Sequence, residues 1–79
     1  MNDPYLGQVF LFAGTFPPRG YHECNGALLS TMDNDALFYI LGTAYGGDGR
    51  TTFGLPKIPR PEKGGMYVIA VQGTFPSRT

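Results

Sequence analysis

The residues of this chain best suited to chemistry are one histidine and one cysteine two positions apart, His22 and Cys24. Alternation along an extended segment places both side chains on one face. A Cys–His nucleophile also needs a third group to orient the imidazole and donors to hold an oxyanion, and the sequence supplies neither. A four-ligand zinc site cannot be built in one chain from a single Cys and a single His. Two readings of His22 stay open: an ordinary strand residue, or a ligand repeated around the axis of a trimer. A lone cysteine excludes a disulfide within the chain. Asp33 and Asp35 form a carboxylate pair, but they precede a helical stretch, where capping and the macrodipole explain them better than acid–base catalysis does.

The second candidate is the glycine-dense segment Tyr45-Gly46-Gly47-Asp48-Gly49-Arg50-Thr51-Thr52-Phe53. Its glycines have the look of a nest of backbone donors for an anion. No strand–loop–helix context follows, and no Lys-Ser/Thr succeeds the glycines, so a nucleotide loop is not indicated. A calcium loop needs several acidic ligands and only Asp48 is present. The segment reads as a structural loop in which Asp48 and Arg50 bond the loop's own backbone and hold Phe53 inward. Tyr45, Asp48 and Arg50 are its candidate ligand-contacting residues. Five tyrosines, together with Arg19 and Arg78, offer a flat aromatic surface suited to sugars or to subunit contacts. Core packing would account for about half of them. No catalytic residue, cofactor site or metal site is assigned.

The elements that must position these residues are short. Gln8–Ala13 is an apolar, aromatic run bounded by glycines and reads as a buried strand. Pro17 and Pro18 force an extended loop after it. Asn25-Gly26 lies between Tyr21–Cys24 and Ala27–Leu29, and predicts a tight hairpin over residues 21–29. Residues 34–41 predict two helical turns ended by Gly42, capped by Ser30, Thr31 or Asp33, with Leu37, Ile40 and Leu41 on one face. Leu55 and Ile58 anchor a proline-rich extended segment. Met66–Gln72 reads as the second strong strand. The sum is a small α+β single domain over residues 1–79, mainly short β-strands with one short helix and long ordered Gly/Pro-rich loops.

A chain of 79 residues builds a thin core. At roughly 0.05–0.15 kcal/mol per residue, a lone copy retains only a few kcal/mol. Disulfides and an intrachain metal being excluded, oligomerisation is the remaining reinforcement. Charged residues make up 15% of the chain, against about 25% in ordinary soluble domains. Part of the surface is therefore expected to be covered by other copies. Net charge is zero and the basic residues are scattered, which speaks against nucleic-acid binding. No apolar run reaches membrane-spanning length. The polar opening Met1–Pro4 reads as the start of the fold without a cleaved leader, and the chain reads as a complete product.

One segment recurs: Gly14-Thr15-Phe16-Pro17-Pro18-Arg19 returns as Gly73-Thr74-Phe75-Pro76-Ser77-Arg78, each after a hydrophobic strand. Two similar strand exits would produce this. So would two neighbouring strands related by pseudo-symmetry, with residues 74–79 packing on an adjacent copy. Thr15, Phe16, Arg19, Thr74, Phe75 and Arg78 are accordingly the candidate interface residues.

Several motifs in order complete the pattern. They are Gly7-x-x-x-Leu11-Phe12-Ala13-Gly14, Pro18-x-Gly20-Tyr21, Cys24-Asn25-Gly26-x-Leu28-Leu29-Ser30, Leu37-Phe38, Leu41-Gly42-Thr43, and Tyr45 through Leu55-Pro56. Together they resemble the phage tail collar domain, most closely the branch known as microcystin-dependent proteins. The opening Asp3–Gly7 and the ending Tyr67–Arg78 resemble that branch too. The resemblance implies a non-enzymatic, architectural unit of trimeric tail fibres or related particles, in a virion or at a cell surface. It implies homo-oligomers (trimer, ring or filament), and other tail or fibre proteins as further partners. The alternative it leaves is a carbohydrate- or receptor-binding module. The chain departs from the family where Leu55-Pro56 runs into Lys57-Ile58-Pro59-Arg60-Pro61 without a long variable insert, which favours a minimal structural subunit.

Overall fold

The computed structural model describes residues 4–76. Its elements are β1 (Val9–Phe12), β2 (Tyr21–Glu23), β3 (Leu28–Ser30), α1 (Asp35–Leu41), β4 (Thr52–Gly54) and β5 (Met66–Ala70). The molecule is a small α+β domain of antiparallel strand pairs with one short helix. The strands form two sheets, one three-stranded in the order β1-β5-β2 and one two-stranded, β3-β4.

The last strand is the centre of the larger sheet. Met66, Val68, Ile69 and Ala70 are essentially inaccessible, which is why the sequence here is a continuous apolar run rather than an alternating one. Val9 faces Ile69 and Leu11 faces Tyr67 on one side, while His22 faces Ile69 on the other. Opposed residues share a sheet face, so Ile69 and Tyr67 point toward the second layer. There Ile69 meets Cys24, Leu37 of α1, Phe53 of β4 and Leu55 in the main core cluster. On the opposite face the Phe10 and Tyr21 rings meet edge-to-face at 5.2 Å, and their two strands flank β5.

The chain enters this sheet through a turn at Tyr5–Gln8. The Gln8 N–H donates to the Tyr5 carbonyl at 3.1 Å. Gly7 sits at φ +84, as the third position of a type II turn requires. Gly7 and Gln8 both oppose Ala70: the Gly7 N–H donates to its carbonyl (3.0 Å) and its own N–H donates to Gln8 (2.9 Å). This is a β-bulge of the kind that needs glycine.

The expected hairpin over 21–29 does not form. β2 pairs with β5 and β3 pairs with β4. Asn25 has a negative φ, Gly26 alone being positive, so the turn is not type I′. Instead Asn25 bridges Lys57, its side chain accepts the Ala27 N–H, and the Gly26 N–H donates to Pro56. The Asn-Gly pair thus carries the chain from one sheet to the other around the proline-rich segment.

The helix runs where its periodicity placed it, with Leu37 buried and Gly42 at its end. Its cap differs from expectation. Asn34 occupies the N-cap without a side-chain bond to the helix, its Nδ2 donating back to the Ser30 carbonyl at 3.1 Å. Ser30 instead accepts the Asp33 N–H, and Thr31 donates to the Arg50 carbonyl.

Candidate functional site

The glycine-dense loop is organised by one carboxylate. Asp48 Oδ1 accepts the backbone N–H groups of Arg50 (2.8 Å), Thr51 (2.8 Å) and Thr52 (3.0 Å). Its Oδ2 accepts the Thr51 hydroxyl at 3.0 Å. These donors, the Arg50 N–H foremost, hold the Asp48 carboxyl well below the usual carboxylate range. The Gly49 N–H donates to Thr52 and the Gly54 N–H to Gly46, closing the loop on β4. Gly47, at φ +88, lies so close that a Cβ there would collide with the Phe53 backbone. Phe53 is completely buried and stacks, tilted, on Phe38 at 5.4 Å. The carboxylate is thus committed to its own loop. Tyr45 and the Arg50 side chain remain on the surface beside it.

The repeated segments take different positions. Thr15 and Phe16 lie on the connection that carries the chain from β1 past β5 to β2, with Phe16 74% exposed. Thr74 is tied to the chain's own N-terminal part: its N–H donates to Pro4 and its carbonyl accepts the Leu6 N–H. Phe75 rests on Tyr39 of α1 at 5.7 Å, and these rings line a shallow groove with Ile40 and Pro76. Within one chain, residues 74–76 thus rest on the N-terminal segment and on α1. The other half of the symmetry reading concerns strand placement, and there β1 and β5 are indeed neighbours, running antiparallel. A second cleft joins the two segments, with Arg19, Tyr21, Gln72, Gly73 and Pro4 on its walls. Arg78 lies outside the described residues.

Cys24 is a core residue whose thiol is pushed up by burial, and its neighbour His22 bonds the Glu23 carbonyl through Nδ1 at 2.8 Å. Among the described residues no group of three His, Cys, Asp or Glu side chains could hold a metal ion, and no helix is long and apolar enough to cross a membrane.

Two features escaped the sequence reading. Arg60 grips Glu23 with two bonds, of 2.7 and 2.8 Å, and this side-chain bond is the main reason the Glu23 carboxyl is held down. The partners lie far apart in sequence, so no local signal marks them. The other is the surface position of Val9 and Leu11, residues that read from sequence as wholly buried. Their alternation with the half-buried Phe10 and Phe12 is masked because all four are apolar.

No curated protein and no solved structure matches the chain. A family model does: the phage tail collar domain model matches residues 7–59, two thirds of the sequence, and the chain belongs to the phage tail collar domain family, a structural family of phage tail fibres rather than a family of enzymes.

Proposed function

We propose that this protein is a structural subunit of a tail fibre or related extracellular particle and works by associating with copies of itself into a trimer, ring or filament. The observation that carries this reading is the surface. Val9, Leu11, Phe16, Leu28, Met32 and Tyr39 are all at least a third exposed, on a chain with few charges to keep such a surface soluble. The working unit is the whole of residues 1–79. The family match ends at residue 59, but the strand that joins β1 to β2 lies beyond it. Within the family we assign the chain to the microcystin-dependent branch, on the likeness of its opening Asp3–Gly7 and its ending Tyr67–Arg78. The Gly/Pro-rich loops serve as fixed parts of the surface, consistent with the bonds that Asp48 makes. Other tail or fibre proteins are the further partners, and the virion is the place of action.

A second reading is a carbohydrate-binding module. The exposed rings of Tyr39 and Phe75 flanking a groove favour it, and so does Tyr45 beside Arg50. Negative-stain microscopy and a glycan array separate the two. The structural reading expects discrete assemblies and no glycan signal. Glycan binding that is lost in Tyr45→Ala or Tyr39→Ala would replace it with the second.

A further inference from the structure

The two edges of the three-stranded sheet are treated differently. Along β5, the odd-numbered residues bond toward β2 and the even-numbered ones toward β1. Thus Tyr67 accepts the Cys24 N–H and Val71 donates to Gly20, whereas Ala70 donates to Gln8. With the register of β1 on β5, this alternation turns the backbone groups of Phe10 and Phe12 inward. Those of Val9 and Leu11 are turned to the outer edge. Among the described residues no hydrogen bond reaches them.

The other edge is partly blocked within the chain. On β2, the outward N–H of Tyr21 donates to Pro18, and the outward carbonyl of Glu23 accepts the Asn25 N–H. The Glu23 side chain is gripped by Arg60, and the segment Pro56–Arg60 runs alongside. Prolines, charges and internally satisfied groups are the devices by which sheet edges avoid pairing. β1 has none of them. It is Val-Phe-Leu-Phe, and residues 4–18 around it contain no charged side chain.

We propose that a second copy of this chain pairs with the open edge of β1, antiparallel about a two-fold axis, so that two three-stranded sheets become one continuous sheet. The proposal rests on the self-association reading above and names its surface. A copy of β1 is the favoured occupant for two reasons. The edge of β2 is obstructed by its own bonds to Pro18 and Asn25 and by the Glu23–Arg60 pair, which disfavours a head-to-tail contact between unlike edges. The uncharged segment around β1 brings no charge into burial when it meets itself, whereas a charged partner would lose solvation without gaining an ion pair. With Phe10 at the axis, the outward groups of Val9 face those of Leu11 in the second copy. The four exposed side chains then form one apolar cluster on a single face. Such a contact closes after two copies, so it joins copies in pairs and, of the assemblies named above, suits a ring or filament rather than a trimer.

The test is amide hydrogen exchange with scattering mass on the full chain, for wild type, Leu11→Lys and Leu11→Pro. Leu11 is 51% exposed, so the lysine stem fits without disturbing the core. Its N–H has no partner, so proline removes no internal bond. In the assembled wild type the Val9 and Leu11 amides should exchange at least about ten-fold more slowly than Val9 does in Leu11→Lys. The Phe10 and Phe12 amides, bonded to β5, should be protected in every variant that folds, and both variants should lose the pair. Fast Val9 and Leu11 exchange in a protein that is nonetheless assembled overturns the edge contact and leaves self-association standing. So does a variant that keeps the wild-type mass. A wild type with the mass of one chain at high concentration overturns both.

Discussion

At the scale of single residues, Asp48 and Gly47 carry the loop that seals the core. Asp48 is held ionised by donors that exist only in the folded loop. Its folded pKa lies below the ordinary carboxylate value near 4. Its stabilisation is therefore complete above about pH 4 and is lost as pH falls through the folded value. Asp48→Asn should lower the melting temperature at neutral pH. The gap from wild type should shrink as pH is taken below about 4. Parallel melting profiles across that range would show that the charge is not what the loop uses. Gly47→Ala meets both a left-handed backbone angle, worth about 1–2 kcal/mol, and a collision with the Phe53 backbone. At roughly 4–8 °C per kcal/mol for a chain of this size, the melting temperature should fall by about 10 °C or more. The role of Asp48 was legible because a lone acid among glycines has few uses but to bond its own loop. The grip of Arg60 on Glu23 was not, since it depends on where two distant segments come to rest.

At the scale of elements, apolar periodicity and glycine punctuation located the helix and both strong strands. The Asn-Gly signal misled because a local turn preference does not choose partners. β5 needs an antiparallel neighbour on each side and takes β2, which leaves β3 to pair with β4. Tertiary pairing overrode the hairpin, as it commonly overrides local strand preference. The central place of β5 has a direct consequence. A chain ending at residue 59, where the family match ends, leaves β1 and β2 without a partner and should show no cooperative melting by circular dichroism. Phe53→Ala should cost about 3–5 kcal/mol, comparable to the whole stability of a 79-residue chain. It should be largely unfolded in urea-free buffer, while Phe53→Leu keeps a cooperative transition. A well-folded Phe53→Ala would place the core elsewhere.

For the whole molecule, composition spoke before structure did. Few charges and many aromatics indicated a covered surface, and the family match agrees with an architectural role. Which surface is covered was not legible, because β1 is apolar at every position and its inner and outer residues differ only in the fold. The central question is whether one chain is the working unit. Multi-angle light scattering of the full chain over a range of concentrations tests this most directly. A mass that is a small multiple of 8.6 kDa, or a growing assembly, is the expected result. A constant mass of one chain up to high concentration would contradict it, and would leave a module that acts only when docked on a larger protein.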